Sequence, residues 1–429
     1  MLLEFSTENY KSFKDKVTFS MIPAPKQKGL DYSILHKKID KKEYKALSAA
    51  VVYGPNASGK TNIIGAMQTL RNIILRGNIN NSKVSSLNIS DNILELIPNN
   101  TQKESQPVAF SIQFITNNKL FSYYLLLDLG KFMDREYDRS ILEEVLTINN
   151  KTVFKRTKNS LESFRLDFIK DEISQAAKQN QAISQKIAQD SLDKRELFLS
   201  NGFKNIISSK LYSEIIEYFS NQFLTFYHLE QINTVPQFNE DLLINDPLNR
   251  AVKEFGINSN QLVYKKRNNN QLPVLFSFFQ NSEPVPAEFF ESYGTLRFVN
   301  IFPIIAKALQ VGATVILDEF DASIHPMAIM SLISIFHNDE INIHNAQLIF
   351  NTHNPLYLNN NVFRRDEIKF IDRDDNTQCS RHYSLSDFGT KGTNARKDKD
   401  YMNNYFVNEY GAIRDIDFTD IFKKIIEEK

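Results

Sequence analysis

The sequence has one cysteine, no long apolar run and no excess of charge of either sign. Because Cys379 stands alone, an intrachain disulfide is excluded, and we expect a reducing, cytoplasmic environment. The 51 basic and 51 acidic side chains balance, so no global field draws the chain to DNA or to an anionic membrane. No apolar run approaches the roughly 18 residues of a membrane span. The first residues, MLLEFSTENYKSF, do not predict a secretory signal.

The length and composition indicate a globular protein with a substantial core. The chain has 429 residues, of which 42% are hydrophobic and 24% are charged, as in ordinary globular domains. That length suffices for one large or two ordinary domains. Three regions differ in pattern: residues 1–150, 151–285 and 286–429.

Residues 1–150 predict strands around one long helix. Apolar runs predict strands at 2–5, 17–21 and 49–53, and the last of these leads into a loop with two glycines. A helix is predicted from about Lys60 to Arg76, where Gly77 is a natural stop signal. Two further apolar runs, 108–114 and 121–127, flank residues 116–119 and predict a hairpin.

Residues 151–285 predict a mainly helical insertion. Apolar residues between 173 and 187 recur roughly at helical spacing, which predicts one helix of about 20 to 25 residues with a thin apolar stripe. The segment 211–224 is also amphipathic. No heptad pattern persists for the repeats that a long coiled coil would show.

Residues 286–429 alternate between strands and helices. We predict a helix after Thr295, a strand at 314–317, a helix from about Met327, a strand at 347–350 and a hairpin around 372–376. Such alternation is typical of a mostly parallel sheet with helices on both faces. The predicted fold class is therefore α/β.

Residues 54–61, Gly-Pro-Asn-Ala-Ser-Gly-Lys-Thr, match the phosphate-binding pattern G-x-x-x-x-G-K-[ST] without a mismatch. The glycines let backbone N–H groups turn toward a phosphate chain, and the N-terminus of the following helix adds partial positive charge. Lys60 would meet the β- and γ-phosphates, and the Thr61 hydroxyl would bind Mg²⁺. We therefore predict a nucleotide site formed by Gly54, Pro55, Asn56, Ala57, Ser58, Gly59, Lys60, Thr61 and Asn62.

An acidic pair, Asp318 and Glu319, ends the apolar strand predicted at 314–317. Asp318 can hold Mg²⁺ through water, and Glu319 can polarise the water that attacks the γ-phosphate. The alternative is a strand that simply ends in a polar turn, and the phosphate loop favours the catalytic interpretation. Lys60 and Asp318 lie more than half of the chain apart, much farther than in ring-forming AAA+ motors or Ras-like GTPases. A large insertion therefore separates two halves of one nucleotide-binding unit.

Two histidines follow the acidic pair. His353 comes after the next predicted strand, where it can contact the γ-phosphate from the side opposite Lys60. A core or capping histidine is the alternative, and the position one strand after Asp318 favours the phosphate contact. His325 is either an interface contact or a local helix cap.

These motifs, in this order, resemble the ABC-type ATPase head shared by SMC proteins. They resemble more closely the compact bacterial SMC-like ATPases of the RloA/AbiL type from anti-phage loci, which are related to the ATPase part of OLD-family nucleases. The resemblance covers nearly the whole chain. It rests on the motifs at 9–13 (NYKSF), 53–62, 291–295 (ESYGT), 317–326, 351–355, 384–388 (SLSDF) and 410–413 (YGAI).

The resemblance implies a homodimer, or a higher oligomer, in which two protomers sandwich two ATP molecules with Mg²⁺. Each ATP would lie between the phosphate loop of one subunit and the signature helix of the other. Ser292, Gly294 and Thr295 would be that signature, acting in trans, with Ser292 also capping its helix. Residues 321–323 would form the D-loop. The signature is Ser-Tyr-Gly-Thr rather than the transporter-like Ser-Gly-Gly, and the Q-loop stays unassigned, with Gln113 and residues 197–200 as candidates.

The resemblance favours an ATP-hydrolysing switch that controls a separate effector, a nuclease or a toxin, in anti-phage defence. The alternative is a repair-type SMC-like ATPase that acts on DNA ends, for which the insertion is too short to supply long coiled coils. A transporter subunit would have closer motifs and a surface for a membrane partner. A fused TOPRIM-like nuclease could use Asp372 and Asp374, but these residues are typical of a tight hairpin turn.

Three basic clusters could contact nucleic acid: residues 37–42, 265–267 and 364–365. Acidic residues close to the first and third clusters favour a solvated surface instead. Nucleic acid is therefore an untested partner, and we expect no membrane partner.

Overall fold

The computed structural model describes residues 1–25, 27, 29–80, 94–134, 136–227, 242–257, 259–266, 273–280, 282–389 and 399–427. The strands are β1 (Leu2–Glu8), β2 (Val17–Ser20), β3 (Ile34–Ile39), β4 (Lys42–Leu47), β5 (Ala49–Tyr53), β6 (Val108–Thr116), β7 (Lys119–Asp128), β8 (Ser140–Ile148), β9 (Lys151–Thr157), β10 (Leu161–Phe164), β11 (Phe223–Phe226), β12 (Leu242–Leu243), β13 (Gln261–Lys265), β14 (Val274–Phe278), β15 (Val285–Pro286), β16 (Thr314–Leu317), β17 (Gln347–Asn351), β18 (Ile368–Arg373) and β19 (Ser380–Ser384). The helices are α1 (Lys60–Arg76), α2 (Gln175–Gln179), α3 (Gln181–Asp190), α4 (Ser209–Glu217), α5 (Asp246–Phe255), α6 (Tyr293–Val311), α7 (Pro326–His337), α8 (Tyr401–Phe406) and α9 (Thr419–Glu427), with π-helical segments at Leu199–Ile207 and Tyr218–Gln222.

A six-stranded sheet in the order β11-β16-β17-β5-β18-β19 forms the centre of the fold. Its first five strands are parallel, and β19 at the edge is antiparallel. Strands β5, β16 and β17 are buried along their whole length, as expected where helices cover both faces. Because these strands are parallel, the loops that follow them meet at the carboxyl edge of the sheet.

A second, antiparallel sheet of seven strands, β10-β9-β8-β7-β6-β1-β2, packs on the other side of α1. Ile63 and Met67 of α1 lie in one apolar cluster with Phe110 of β6 and Val52 of β5. Burial of this cluster from water is the main force that fixes α1 between the sheets. The four-stranded sheet β12-β13-β14-β15 and the hairpin β3-β4 are smaller additions.

The mixed α/β fold class predicted from the sequence is confirmed. β5, α1 and β16 have the predicted bounds, and the hairpin β6-β7 turns at the predicted residues. Helix α6 begins at Tyr293, slightly before the predicted start, because Ser292 caps it.

The single helix predicted across 173–187 is wrong, because the structure has two short helices, α2 and α3. Asn180 lies between them with extended backbone angles (φ −147°, ψ 90°), and its side chain accepts a hydrogen bond from the N–H of Ile183 at 3.0 Å. An Asn side chain that caps a helix start competes with continuation of the preceding helix. The apolar periodicity therefore runs through a break that periodicity alone does not reveal.

The insertion predicted as mainly helical also contains strands that the sequence analysis did not predict. β9 and β10 extend the antiparallel sheet, β11 joins the parallel sheet, and β12 to β14 form most of the four-stranded sheet. The domain limits at 150 and 285 stay predictions, and strand pairing crosses both, since β8 pairs with β9 and β14 with β15. Among the helices of the described residues, none combines the length and the hydrophobicity needed to cross a membrane.

Candidate nucleotide site

The loop between β5 and α1 is held by close backbone packing that requires its glycines. A Cβ on Gly54 would lie 2.1 Å from the carbonyl oxygen of Ile371 in β18. Gly59 has a left-handed backbone (φ 108°), and a Cβ there would lie 2.6 Å from the hydroxyl of Ser12 and 2.7 Å from that of Ser380. Both positions therefore admit only glycine without displacement of a neighbour.

Two serines far apart in sequence support this loop. Ser380 of β19 donates a hydrogen bond to the carbonyl oxygen of Ser58 at 2.5 Å, and its N–H donates to the carbonyl of Ser12 at 2.8 Å. Asn62 donates from its side-chain amide to the Ser12 hydroxyl at 2.7 Å. Ser12 belongs to the NYKSF motif, so the structure gives that motif a supporting role. Ser380 was not predicted from the sequence, because its antiparallel edge strand carries no motif.

Lys60 is folded back onto its own loop. Its Nζ donates hydrogen bonds to the carbonyl oxygens of Gly54 at 2.7 Å and Pro55 at 3.0 Å. The residue is only 6% exposed. Burial lowers the pKa of Lys60 to about 8, against the opposing attraction of Asp318 and Glu319. Because burial disfavours the charged form of Lys60, contact with an anionic ligand would stabilise that form.

The backbone at the start of α1 adds hydrogen-bond donors beside Lys60. Within the described part of the chain, the N–H groups of Gly59, Lys60 and Thr61 donate no hydrogen bond. The Ser58 hydroxyl is buried and also has no partner there. Donors at a helix N-terminus suit a phosphate group. The loop therefore fits the phosphate chain of a nucleotide.

The acidic pair after β16 faces this loop across the carboxyl edge. Thr61 donates from its hydroxyl to Oδ1 of Asp318 at 3.4 Å. The side-chain amide of Asn351, the last residue of β17, donates to the same oxygen. Asn351 also accepts a hydrogen bond from the N–H of Glu319 at 2.5 Å. One buried amide therefore holds both members of the acidic pair.

Asn351 is a candidate functional residue without a role in the sequence analysis, although it begins the motif that contains His353. The one signal available there was its position at the end of the strand after the acidic pair. Glu319 itself has a left-handed backbone (φ 50°) and an exposed side chain. A non-glycine residue in this conformation is strained, and the hydrogen bond that the N–H of Glu319 donates to Asn351 helps to maintain it.

Oxygen atoms suited to Mg²⁺ meet at this point. The Thr61 hydroxyl and the Asp318 carboxylate lie in hydrogen-bond contact. Mg²⁺ is typically bound by one or two protein oxygens together with substrate phosphates and water. The described residues contain no cluster of three or more His, Cys, Asp or Glu that could hold a metal unaided. The donor set fits a Mg²⁺ ion that arrives with a nucleotide.

His353 follows β17 and is exposed at the same edge. Its pKa lies below the ordinary value, first because of partial burial and second because of the positive charge of Lys60, while Glu319 opposes the shift. His353 is therefore neutral at pH 7 and close enough to Lys60 and Glu319 to respond to their charges.

The predicted signature residues lie at the start of α6. The Ser292 hydroxyl accepts a hydrogen bond from the N–H of Thr295 at 3.1 Å and contacts the Thr295 hydroxyl at 2.8 Å. A Cβ on Gly294 would lie 2.4 Å from the carbonyl oxygen of Ser323. In the described chain, none of the three predicted signature residues forms a hydrogen bond with residues 54–62. Gly294 is thus required for close contact with Ser323 of its own chain, in the segment predicted as the D-loop.

One polar contact connects helix α6 to the acidic turn, and a second connects the residues after that turn to the segment after β17. Arg297 donates from Nη2 to the carbonyl oxygen of Glu319 at 2.5 Å. Thr352 donates to Oδ2 of Asp321 at 2.7 Å, which joins the D-loop to the segment that contains His353. Burial raises the pKa of Asp321, and this hydrogen bond opposes the rise. Movement of α6 would therefore displace the backbone of Glu319.

The two Q-loop candidates and His325 are the remaining residues singled out in the sequence analysis. Gln113 lies in β6 and donates to Ser122 at 3.2 Å, and Leu197 bonds to Gly77 at the end of α1, so neither Q-loop candidate contacts the phosphate loop. The strand that pairs with β16 at the edge of the parallel sheet is β11, which the sequence analysis missed. Tyr227 follows β11. His325 caps α7 through a hydrogen bond from the N–H of Met327 at 3.3 Å, as one of the two alternatives proposed.

The acidic hairpin and the basic clusters have local partners. Asp374 accepts hydrogen bonds from the N–H groups of Asn376 and Thr377, as a turn residue does. Arg364 is buried against Asp366, and Arg365 donates to backbone carbonyls, so this cluster is not a surface for nucleic acid. The lysines of the β3-β4 hairpin are largely exposed, and Arg267 lies outside the described residues.

A parallel sheet whose central strand leads into a phosphate loop, with carboxylates at the end of a nearby strand, defines a P-loop ATPase fold. The family described as "AAA domain, putative AbiEii toxin, Type IV TA system" matches residues 49–359, more than half of the chain. The chain belongs to this family, so the predicted kinship with compact ATPases of the abortive-infection type is confirmed at family level. No curated protein matches the sequence.

Several solved structures are similar to the chain. The SMC head domain from Thermotoga maritima is 13% identical with a TM-score of 0.39, covering 89% of this chain and 98% of that one. An SmcHead bound to the C-winged helix domain of ScpA is 13% identical with a TM-score of 0.38, covering 91% and 98%. A Smc head domain with an extended coiled coil, bound to the C-terminal domain of ScpA derived from Pyrococcus furiosus, is 13% identical with a TM-score of 0.37, covering 89% and 96%.

Proposed function

We propose that the chain binds ATP with Mg²⁺ at the carboxyl edge of the parallel sheet and hydrolyses it to ADP and phosphate. The observation that carries this proposal is the hydrogen-bonded series Thr61–Asp318–Asn351–Glu319 beside the buried Lys60. It brings the cation of Lys60, oxygens suited to a metal and the exposed carboxylate of Glu319 together from segments far apart in sequence. Membership of an AAA family supports the same activity.

Each residue has a distinct part in this proposal. Residues 54–62 hold the phosphates, and Lys60 exchanges its bonds to Gly54 and Pro55 for bonds to phosphate oxygens. Thr61 and Asp318 would hold Mg²⁺, which would neutralise charge on the phosphates when bound. Glu319 polarises the attacking water, and the neutral His353 donates a hydrogen bond to the γ-phosphate.

We also propose that two copies close on two ATP molecules, with Ser292, Gly294 and Thr295 of one copy against the nucleotide of the other. Exposed apolar side chains support this arrangement. Tyr293 in the signature is 57% exposed, Met327 after the D-loop is 65% exposed, and Leu356 after His353 is 46% exposed. Large apolar side chains grouped beside a site are typical of a surface that becomes covered.

The proposed biological role is a cytoplasmic switch whose ATP state controls a separate effector, a nuclease or a toxin, in anti-phage defence. The family description supports a link to toxin–antitoxin systems. A repair-type ATPase that acts on DNA ends is the alternative, with nucleic acid as its direct partner.

The test combines ATP turnover with molecular mass from light scattering. Lys60→Ala should abolish turnover, whereas Glu319→Gln should bind ATP, turn it over poorly and accumulate as a closed dimer. Normal turnover by Lys60→Ala would refute the site. For the role, the gene and its neighbours should protect a bacterial host from phage, and Lys60→Ala should remove that protection. Protection that survives Lys60→Ala would refute the ATP-controlled switch, and turnover stimulated strongly by DNA ends would favour the repair alternative.

A further inference from the structure

Arg297 of α6 is a buried cation whose hydrogen-bond donors are only partly used. The residue is 8% exposed. Its Nη2 donates to the carbonyl oxygen of Glu319 at 2.5 Å, whereas its Nε is buried and has no partner in the described part of the chain. Burial of a guanidinium against a neutral carbonyl is costly. A buried donor left without a partner therefore calls for a role beyond packing.

Glu319 is held through its backbone from both sides. Its N–H donates to Oδ1 of Asn351 at 2.5 Å, and its carbonyl oxygen accepts the bond from Arg297. Between these two bonds the backbone has a left-handed φ of 50°, which persists only when the surroundings maintain it. The side chain of Glu319 is exposed. The two backbone contacts therefore set the direction in which its carboxylate leaves the chain.

The two contacts are carried by different elements. Asn351 ends β17, which is buried along its whole length in the central sheet. Arg297 lies about one helical turn after Tyr293, which is 57% exposed at the start of α6. A contact that presses on this exposed start displaces Arg297 relative to the sheet, whereas Asn351 stays with the sheet. The backbone of Glu319 therefore turns when α6 moves.

We propose that Arg297 is a positioning residue for ATP hydrolysis, which directs the carboxylate of Glu319 toward the attacking water according to the position of α6. This inference rests on the proposed hydrolysis and deepens it, because it makes turnover depend on what covers the start of α6. A second copy that closes there fixes the helix, and Arg297 carries that restraint to Glu319. ATP binding does not need Arg297, since the hydrogen bonds of Lys60 and of Arg297 go to different segments.

Two substitutions of Arg297 in the full-length protein test this role. Arg297→Met keeps the length and the apolar body of the side chain and removes its donors. In this variant kcat should fall roughly ten- to a hundredfold, while ATP affinity and the ATP-dependent dimer seen by light scattering match wild type. Arg297→Lys keeps the charge and one donor group, and should recover part of the lost turnover. Lys307→Met, at an exposed position of the same helix, is the control.

A double-mutant cycle separates positioning of Glu319 from a purely structural role. If Arg297 acts through Glu319, Arg297→Met added to Glu319→Gln should leave the slow residual turnover, measured with radiolabelled ATP, unchanged. A purely structural role would lower turnover by the same factor in both backgrounds. It would also lower the melting temperature and the ATP affinity together.

Wild-type turnover by Arg297→Met, or an equal loss in the two backgrounds, would overturn the proposal. If Arg297→Met unfolds below the assay temperature, Arg297→Lys decides: reduced kcat at unchanged ATP affinity supports the role, and wild-type kcat refutes it. A wild-type chain that does not hydrolyse ATP refutes the proposed function itself. Hydrolysis that needs Glu319 but is indifferent to Arg297 refutes the positioning role alone.

Discussion

Replacement of Asn351 by alanine removes one side chain that holds both carboxylate residues of the site. Its amide nitrogen donates to Oδ1 of Asp318, and its oxygen accepts the N–H of Glu319 at 2.5 Å. Asn351 is 1% exposed, so water has little access to replace these contacts. Lys60 and the phosphate loop do not contact it through any described hydrogen bond, so ATP binding should persist.

The magnitude follows from the two bonds. A neutral hydrogen bond contributes about 0.5–1.5 kcal/mol, and one to a charged group contributes about 1.5–3 kcal/mol. Their combined loss is therefore about 2–4 kcal/mol, divided between stability and the position of Glu319. If half of this free energy raises the activation barrier of hydrolysis, turnover falls on the order of tenfold. If all of it raises the barrier, turnover falls roughly a few hundredfold.

Steady-state turnover and ATP affinity, measured on the same preparation, test this expectation. Asn351→Ala should lower kcat by roughly ten- to a few hundredfold, with an ATP affinity close to that of wild type. Asn361→Ala, on an exposed loop, is the matched control and should leave both quantities unchanged. Wild-type turnover by Asn351→Ala would show that the amide does not position the acidic pair.

Three further changes test other parts of the structure. Gly294→Ala should lower the stability measured by thermal unfolding by about 1–3 kcal/mol, because the new Cβ would lie 2.4 Å from the carbonyl oxygen of Ser323. Gly389→Ala is the control, since a Cβ there meets nothing within 4 Å, and equal melting temperatures for the two variants would refute the contact. ATP affinity should weaken as pH rises above about 8, where Lys60 loses its proton. The nucleotide-free protein should gain stability over the same rise, because the folded pKa lies below the unfolded one; affinity that is flat to pH 9.5 would contradict the assignment. Arg156→Ala should lower the free energy of unfolding by about 3–5 kcal/mol, because it leaves the buried Glu144 without a positive partner. Arg156→Met combined with Glu144→Gln should lower it less, and a mild effect of the single change would refute the stabilising role of this ion pair.

The sequence predicts well those features that are local. The strand β5, the phosphate loop and α1 follow from one continuous motif with its flanks, and their bounds are confirmed. The acidic turn after β16 is likewise local. Short-range apolar patterns and a loop pattern determined by backbone geometry suffice for such features.

Features that depend on contacts between distant segments could not be predicted in this way. Asn351, Ser380 and Arg297 have their roles only because the strand order of the central sheet and the packing of α6 bring them to the loop and the acidic turn. Gly294 was interpreted only as part of a signature that acts on a second copy, whereas the structure shows that it makes room for the carbonyl of Ser323 in its own chain. Strand β11 was missed because its four residues resemble the end of the amphipathic segment before them.

Complementation between two inactive variants tests the shared site most directly. Lys60→Ala removes the phosphate contact of its own loop. Tyr293→Asp places a negative charge at the exposed start of α6, where an acidic residue suits the helix N-terminus but would repel the ATP of a second copy. Each variant alone should be inactive, since every dimer then lacks one half of both sites.

An equimolar mixture should regain about a quarter of the wild-type turnover, because half of the dimers are mixed and each mixed dimer has one intact site. Turnover by the mixture that stays at the level of the separate variants at every ratio would contradict a site shared between two copies. So would full activity of Tyr293→Asp by itself.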